Sequence, residues 1–179
     1  MAKRSSINYL DRLYTTLLYL FPMAAVVSIK IYGQILMLFG FADFLVAQFS
    51  PLGYALLPFS FVDKILSIRI IDFISIRFVS WFCIFIFVVR SYKINHFTRF
   101  NAMQALMLDI VVILIEVIVN ILWETIGRFD FFPFILQTIS SVTFLTIISA
   151  FVYSVFNCVQ GKYADKIPLI SDVAYYQIR

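Results

Sequence analysis

The sequence predicts an all-α polytopic membrane protein with four transmembrane helices, and three observations carry that expectation. The 179 residues are 63% hydrophobic and 13% charged. An ordinary soluble domain is roughly 45–50% apolar and about 25% charged, so this chain has more apolar surface than a globule of its size can bury. Mean hydropathy is +0.96, and the apolar residues form continuous runs rather than the alternation of an outer-membrane barrel. A hydrocarbon core about 30 Å thick takes about 20 helical residues per crossing, and charges cut the chain into segments near that length. The expectation is a single membrane domain over residues 1–179.

Taken in order, the polar start MAKRSSINYL, followed by Asp11 and Arg12, carries neither a transit-peptide composition nor a cleavage site. The first apolar segment therefore reads as a signal-anchor. That segment, residues 13–29, is uncharged and contains Pro22, which is expected to bend it. Residues 31–71 are harder to place. They read as an interfacial or re-entrant segment, because Gln34, Asp43 and Gln48 interrupt the apolar run and Pro51 and Pro58 stop any long helix. The alternative is a fifth span over residues 32–47, which would put the termini on opposite sides. The second span is expected over 73–89, with Arg77 close enough to its end to snorkel outward. The third covers 102–125. The fourth, 133–159, lies inside an uncharged run of 31 residues, 131–161, long enough to be tilted.

With four spans, one face carries Lys3, Arg4, Arg12, Arg90, Lys93, Arg99, Lys162, Lys166 and Arg179, and the other carries Lys30, Lys64, Arg69, Arg77 and Arg128. The positive-inside rule then places both termini on the cytoplasm-equivalent side. Arg90, Lys93 and Arg99 form a basic loop that reads first as a topology determinant and second as a docking patch.

The third span holds the most informative residues. Asp109, Glu116 and Asn120 fall at i, i+7 and i+11 and share one helical face, with Asn101 and Glu124 flanking the stripe at its two ends. A carboxylate at the bilayer centre costs on the order of 2.5–3.5 kcal/mol on insertion scales, so these groups face protein or water rather than lipid. Two readings stand: hydrogen bonds to a neighbouring helix or subunit, with a protonated carboxyl, or the wall of a hydrated conduit. On the fourth span, Ser140, Thr143, Thr146, Ala150, Tyr153 and Asn157 recur at spacings of three and four, a small and polar face suited to close helix packing and to partnering the stripe. Asn101 and Gln104 also read as residues that cap or solvate the start of the third helix.

Composition excludes most chemistry. His96 is the only histidine, Cys83 and Cys158 form no CxxC pair, and no GxxxxGK[ST] or GxGxxG run occurs. No catalytic, cofactor or metal site is therefore expected, and the net charge of +4 is dispersed rather than directed at nucleic acid.

Residues 88–110, VVRSYKINHFTRFNAMQALMLDI, closely resemble the loop and third-span signature of the Tic-twenty family, the four-span subunit of the translocon at the inner envelope of chloroplasts. The tail FVYSVFNCVQGKYADKIPLISDVAYYQIR resembles that family's C-terminal pattern, and Arg12 followed by LYTTLLYLFPM resembles its proline-bearing first span. The resemblance implies a multi-pass membrane subunit of a protein-import translocon. Such a subunit is not an enzyme and has no cofactor; it works with other translocon subunits and with preproteins in transit, in the plastid inner envelope (the plastid-encoded ycf-sixty type) or a cyanobacterial plasma membrane. Two other functions remain open on the residues alone: a small-solute or ion transporter, which would also use Asp109 and Glu116, and a structural assembly factor.

Overall fold

The long third apolar segment is one unbroken helix, and most of the other described elements pack on it. The structure, a computed structural model, describes residues 7–27, 30–31, 34–35, 50–71, 74–126 and 131–178. The fifth-span alternative at 32–47 lies largely outside these residues, as do Lys3, Arg4, Asp43, Arg128 and Arg179. The elements are α1 (Tyr9–Leu18), α2 (Leu20–Val27), strands β1 (Lys30–Ile31) and β2 (Gln34–Ile35), α3 (Ser50–Leu66), strands β3 (Arg69–Ile71) and β4 (Ile74–Ser75), α4 (Ile76–Ile84), α5 (His96–Ile126), α6 (Phe132–Gln160) and α7 (Ile170–Gln177). Helix makes up 79% of the described residues. The all-α expectation is amended by two small antiparallel hairpins, β1–β2 and β3–β4.

The first apolar segment is two helices rather than one. Asn8 caps α1, and the Asp11 carboxylate accepts from the Asn8 N–H at 3.0 Å, a reciprocal cap of the first turn. The chain breaks at Tyr19, three residues before Pro22. Proline offers no N–H to the Leu18 carbonyl and its ring crowds it, so helix ends there and restarts at Leu20. In the next segment the sequence expectation fails in the other direction. Helix α3 runs for 17 residues through Pro51 and Pro58, although prolines there were expected to stop a long helix. Pro51 sits in the first turn, where a missing N–H removes nothing, and the helix tolerates the loss of one bond at Pro58.

Helix α4 is prolonged by a π turn, Phe85–Val89, so the second apolar helix is Ile76–Val89, too short to count with the long spans. Helix α5 begins at His96, six residues before the expected start, and α6 ends at Gly161 in the left-handed conformation (φ 71°). There the Lys162 N–H bonds the Asn157 carbonyl and the Gly161 N–H that of Cys158, each at 2.9 Å.

Two helices, His96–Thr125 and Val142–Gln160, are long and apolar enough to cross a bilayer; in each only 33% of the most apolar window is buried. A core helix of a soluble protein would be mostly covered. Here Leu114, Val117, Ile118 and Ile121 of α5 and Val142, Leu145, Val152 and Phe156 of α6 point outward, as lipid-facing residues do. Two such helices, with the two-piece first segment and the short second, are what the structure offers to the four-span expectation. The core forms where α1 and α2 wedge against α5 and α6, with Tyr19, Met23 and Val26 packed on Phe97, Leu108 and Val112 and on Phe144, Ile147 and Ala150. A second cluster seats Ala174 and Ile178, from α7 and the turn after it, on Phe100 and Met103.

Candidate functional site

Helix α5 positions two polar groups of different construction. Near its N-terminus, the Tyr19 hydroxyl lies 2.9 Å from Asn101 Oδ1 and 3.2 Å from Gln104 Oε1. Asn101 Nδ2 donates to the Phe97 carbonyl (2.9 Å), and Gln104 Nε2 donates to the Ala164 carbonyl (2.9 Å) and reaches Ser171 Oγ (3.3 Å). Tyr19, Asn101 and Gln104 are wholly buried. The expectation that Asn101 and Gln104 cap or solvate the helix start is corrected. Because α5 begins at His96, they stand on its second and third turns, inside the bundle, and they tie the first helix pair and the C-terminal tail to it.

The second group lies one to two turns further on. Asp109 is fully buried, and its charge partner comes from the second apolar segment rather than the fourth. Arg77 Nη1 stands 3.5 Å from Asp109 Oδ1, and Arg77 Nη2 donates to Asp63 Oδ1 at 2.6 Å. The side chain of Arg77 is 14% exposed and that of Asp63 9%. Arg77 was expected to snorkel outward. It turns inward instead, because the β3–β4 hairpin delivers it at the first turn of α4, whose N-terminus Ser75 caps, beside the C-terminal part of α3. Asp63, in a segment read as interfacial, was missed. No sequence signal singled it out, because Lys64 adjoins Asp63 and Arg69 and Asp72 lie between Asp63 and Arg77, so several charge pairings were open.

These residues border a cavity of about 760 Å³. Asp63, Arg77, Asp109 and Glu116 line it, together with the aromatic rings of Phe78 and Trp81. Among the described residues, neither oxygen of Asp109 makes a hydrogen bond, and the buried indole N–H of Trp81 has no acceptor. Chemically the cavity is a ring-lined space whose walls carry the carboxylates of Asp63, Asp109 and Glu116 and the guanidiniums of Arg77 and Arg69.

The stripe expected on α5 is thus divided. Asp109 and Glu116 share the cavity, Asn101 belongs to the buried knot, Asn120 is half-buried with its Oδ1 lacking a hydrogen bond among the described residues, and Glu124 is exposed.

The family described as chloroplast import apparatus Tic20-like matches residues 5–174. A Tic20 family protein of Synechocystis is 31% identical over 180 residues, covering 100% of this chain and 99% of the relative. The chain belongs to the Tic20-like family. That membership associates it with protein import and with membranes, in line with its outward-facing apolar helices.

In this Tic20-like chain the face expected on the fourth span is turned. Thr143 and Ala150 are buried, Tyr153 and Asn157 are half-buried, and Thr146 is exposed, its hydroxyl bonded to the Val142 carbonyl. Nothing is described of the Ser140 side chain. Among its described residues α6 buries Phe132, Thr143, Phe144, Ile147, Ala150, Ser154 and Cys158; five of these, Thr143, Ile147, Ala150, Ser154 and Cys158, form a mixed stripe at spacings of three and four that a search for small polar residues passes over. Of the basic loop, Arg90 and Lys93 are exposed. Arg99 is committed: its Nε donates to the Val89 carbonyl (2.8 Å), its Nη2 to that of Ile178 (3.3 Å), and its guanidinium lies 5.6 Å from the centre of the Tyr92 ring. The first of these bonds occupies a carbonyl at the end of the π turn.

Proposed function

We propose that this chain is a membrane subunit of a protein-import translocon of the chloroplast inner envelope, of the plastid-encoded type, with four spans and both termini on the stromal face. The observation that carries the reading is the family match over residues 5–174, nearly the whole chain. In this reading α1 and α2 together make the first crossing, α4 with its π turn the second, and α5 and α6 the third and fourth. Other translocon subunits cover the outward apolar faces, and preproteins pass along the side of α5 that bears Asp109 and Glu116. The exposed Arg90 and Lys93 hold the α4–α5 loop on the stromal side.

The test is affinity purification of the tagged full chain from native membranes, with import measured per assembled complex. Import components and trapped preprotein are expected in the eluate. Glu116→Gln is expected to keep the assembly and alter import per complex, and Glu116→Leu to impair it more, because a carboxylate side chain this far from either helix end helps keep the path hydrated. Normal import per complex in Glu116→Leu removes α5 from the path.

A second reading, a small-solute transporter, is favoured by the cavity of about 760 Å³, which falls within the roughly 300–1,000 Å³ of small-molecule sites. An isolated homo-oligomer in the eluate would shift the weight to it.

A further inference from the structure

We infer that the bilayer is thinned on one side of α4: from the face opposite the Arg90–Lys93 loop, water reaches a recess at half the depth of α5, walled by the end of α3 and the β3–β4 hairpin. The inference rests on the four-span reading, which makes α4 a crossing, and adds where that crossing leaves the hydrocarbon incomplete.

Helix α4 with its π turn, Ile76–Val89, is about 20 Å long at about 1.5 Å per residue, against about 30 Å of hydrocarbon. It is too short to cross. Its contacts with α5 show which end is missing. At the loop end, beside the exposed Arg90 and Lys93, Arg99 Nε donates to the Val89 carbonyl at 2.8 Å. Further along, Trp81 and Phe85 pack on the cluster of Phe100, Met103 and Leu106. At the start of α4, Arg77 Nη1 stands 3.5 Å from Asp109 Oδ1. From Arg99 to Asp109 is about 15 Å along α5, half the hydrocarbon thickness, so α4 begins near the midplane. Beyond Asp109, α5 continues to Ile126, with Val119 packed on Phe132 of α6.

The chain that leads into α4 lies at the same depth. The Ile76 N–H donates to the Ile68 carbonyl at 2.9 Å, Arg69 pairs with Ser75 across β3–β4, and Ser67 Oγ donates to Asp63 Oδ2 at 3.3 Å. Lys64, Ser67 and all of β3, Arg69 included, are exposed. Open strand edges and cationic heads are not tolerated against lipid tails; such groups occur at membrane depth only against protein or water. With about 15 Å still to the far surface, neither Lys64 nor Arg69 can snorkel to it. Among the described residues neither has an ion-pair partner, which suits water rather than an apolar protein face. An apolar segment shorter than the hydrocarbon is accommodated by local thinning, and the exposed charges mark how far the water comes. Arg77 and Asp63, with side chains 14% and 9% exposed, close the floor. By contrast Leu114, Val117 and Ile118, on α5 beyond Asp109, are exposed and apolar, as lipid contact requires. For a translocon subunit, such a recess halves the apolar thickness that a polar segment has to traverse.

The experiment uses the full chain with Cys83→Ala and Cys158→Ser, reconstituted in lipid vesicles, and a charged, membrane-impermeant methanethiosulfonate added outside. With Ser67→Cys and Lys93→Cys together, every molecule should take one label whichever way it is inserted, and two after detergent, read by mass. Ser67→Cys should react about tenfold or more faster than Leu114→Cys, because a charged reagent does not enter hydrocarbon. Lys64→Cys should behave as Ser67→Cys does, and carries the test if that variant does not fold. Labelling at position 67 that needs detergent, or that is no faster than at 114, while Lys93→Cys reacts normally, overturns the inference and leaves the four-span reading standing. Two labels on one vesicle-bound molecule mean that α4 does not cross, and overturn that reading together with the inference.

Discussion

Asn101 and Asp109 lie eight residues apart on one helix, both are wholly buried, and their surroundings are opposites. Around Asn101 the polar atoms are closed on one another. Tyr19, Gln104, the Phe97 and Ala164 carbonyls and Ser171 exchange hydrogen bonds of 2.9–3.3 Å. Around Asp109 there is charge instead of hydrogen bonding, with one guanidinium divided between two carboxylates and open space beside it. The first arrangement is what a bundle uses to fix which helices meet. The second is costly to keep for stability alone, since a buried ion pair can be replaced by apolar residues at little loss. The contrast separates polar residues that build this molecule from polar residues with a further task.

The largest expected effect comes from removing the shared cation. Arg77→Leu leaves Asp63 and Asp109 buried without a counter-charge, and the loss should be about 3–5 kcal/mol, measured by denaturant unfolding in mixed micelles. Arg77→Lys should recover only part of it, because a single ammonium cannot span two carboxylates as the guanidinium fork does. A loss well under this range would mean that water already compensates the acids, and the contrast with the knot would weaken.

Next is Gln104→Leu, which strips the knot of its central member and should cost about 2 kcal/mol through the unpaired groups left behind. Its signature is local. The tail held through Ala164 and Ser171 should be cut faster by protease, while the Arg77 contacts to Asp63 and Asp109 are unchanged. Smaller again is Gly161→Ala. A Cβ there adopts φ 71° and meets Arg12 Nε at 3.1 Å, and the Arg12 guanidinium also donates to the Val159 carbonyl. A loss of about 1–2 kcal/mol in the same unfolding assay is expected.

How much of this was legible follows from what each signal measures. Hydropathy counts apolar length, so it located the four apolar segments, and the 3.6-residue period placed Asp109 and Glu116 on one side of α5. It could not show that Pro22 divides the first segment at Tyr19, or that α3 continues through Pro58, because a proline's effect depends on whether the lost bond is replaced by packing. The pairing of Arg77 with Asp63 and Asp109 was illegible for a different reason. A snorkelling arginine and an inward one have the same sequence, and the β3–β4 hairpin that aims Arg77 is a tertiary feature. Arg99 has a contact that its sequence context did not show: a basic residue beside a span reads as a topology signal, and its donors are also used on the Val89 and Ile178 carbonyls.

The finest test of the comparison is a reciprocal exchange of amide and carboxylate. Asp109→Asn keeps the shape and removes a charge that no hydrogen bond supports. Arg77 keeps its shorter contact, to Asp63 at 2.6 Å, so the change should cost less than about 1 kcal/mol. Asn101→Asp is also isosteric, but it replaces the Nδ2 that donates to the Phe97 carbonyl at 2.9 Å with an oxygen that repels it. It also buries a charge among groups arranged for an amide, so about 2–4 kcal/mol should be lost. The two variants differ from the parent by the same pair of atoms, in opposite directions, on one helix. Equal losses in unfolding would mean that Asp109 is as structural as Asn101, and the distinction between the knot and the cavity would fall with that result.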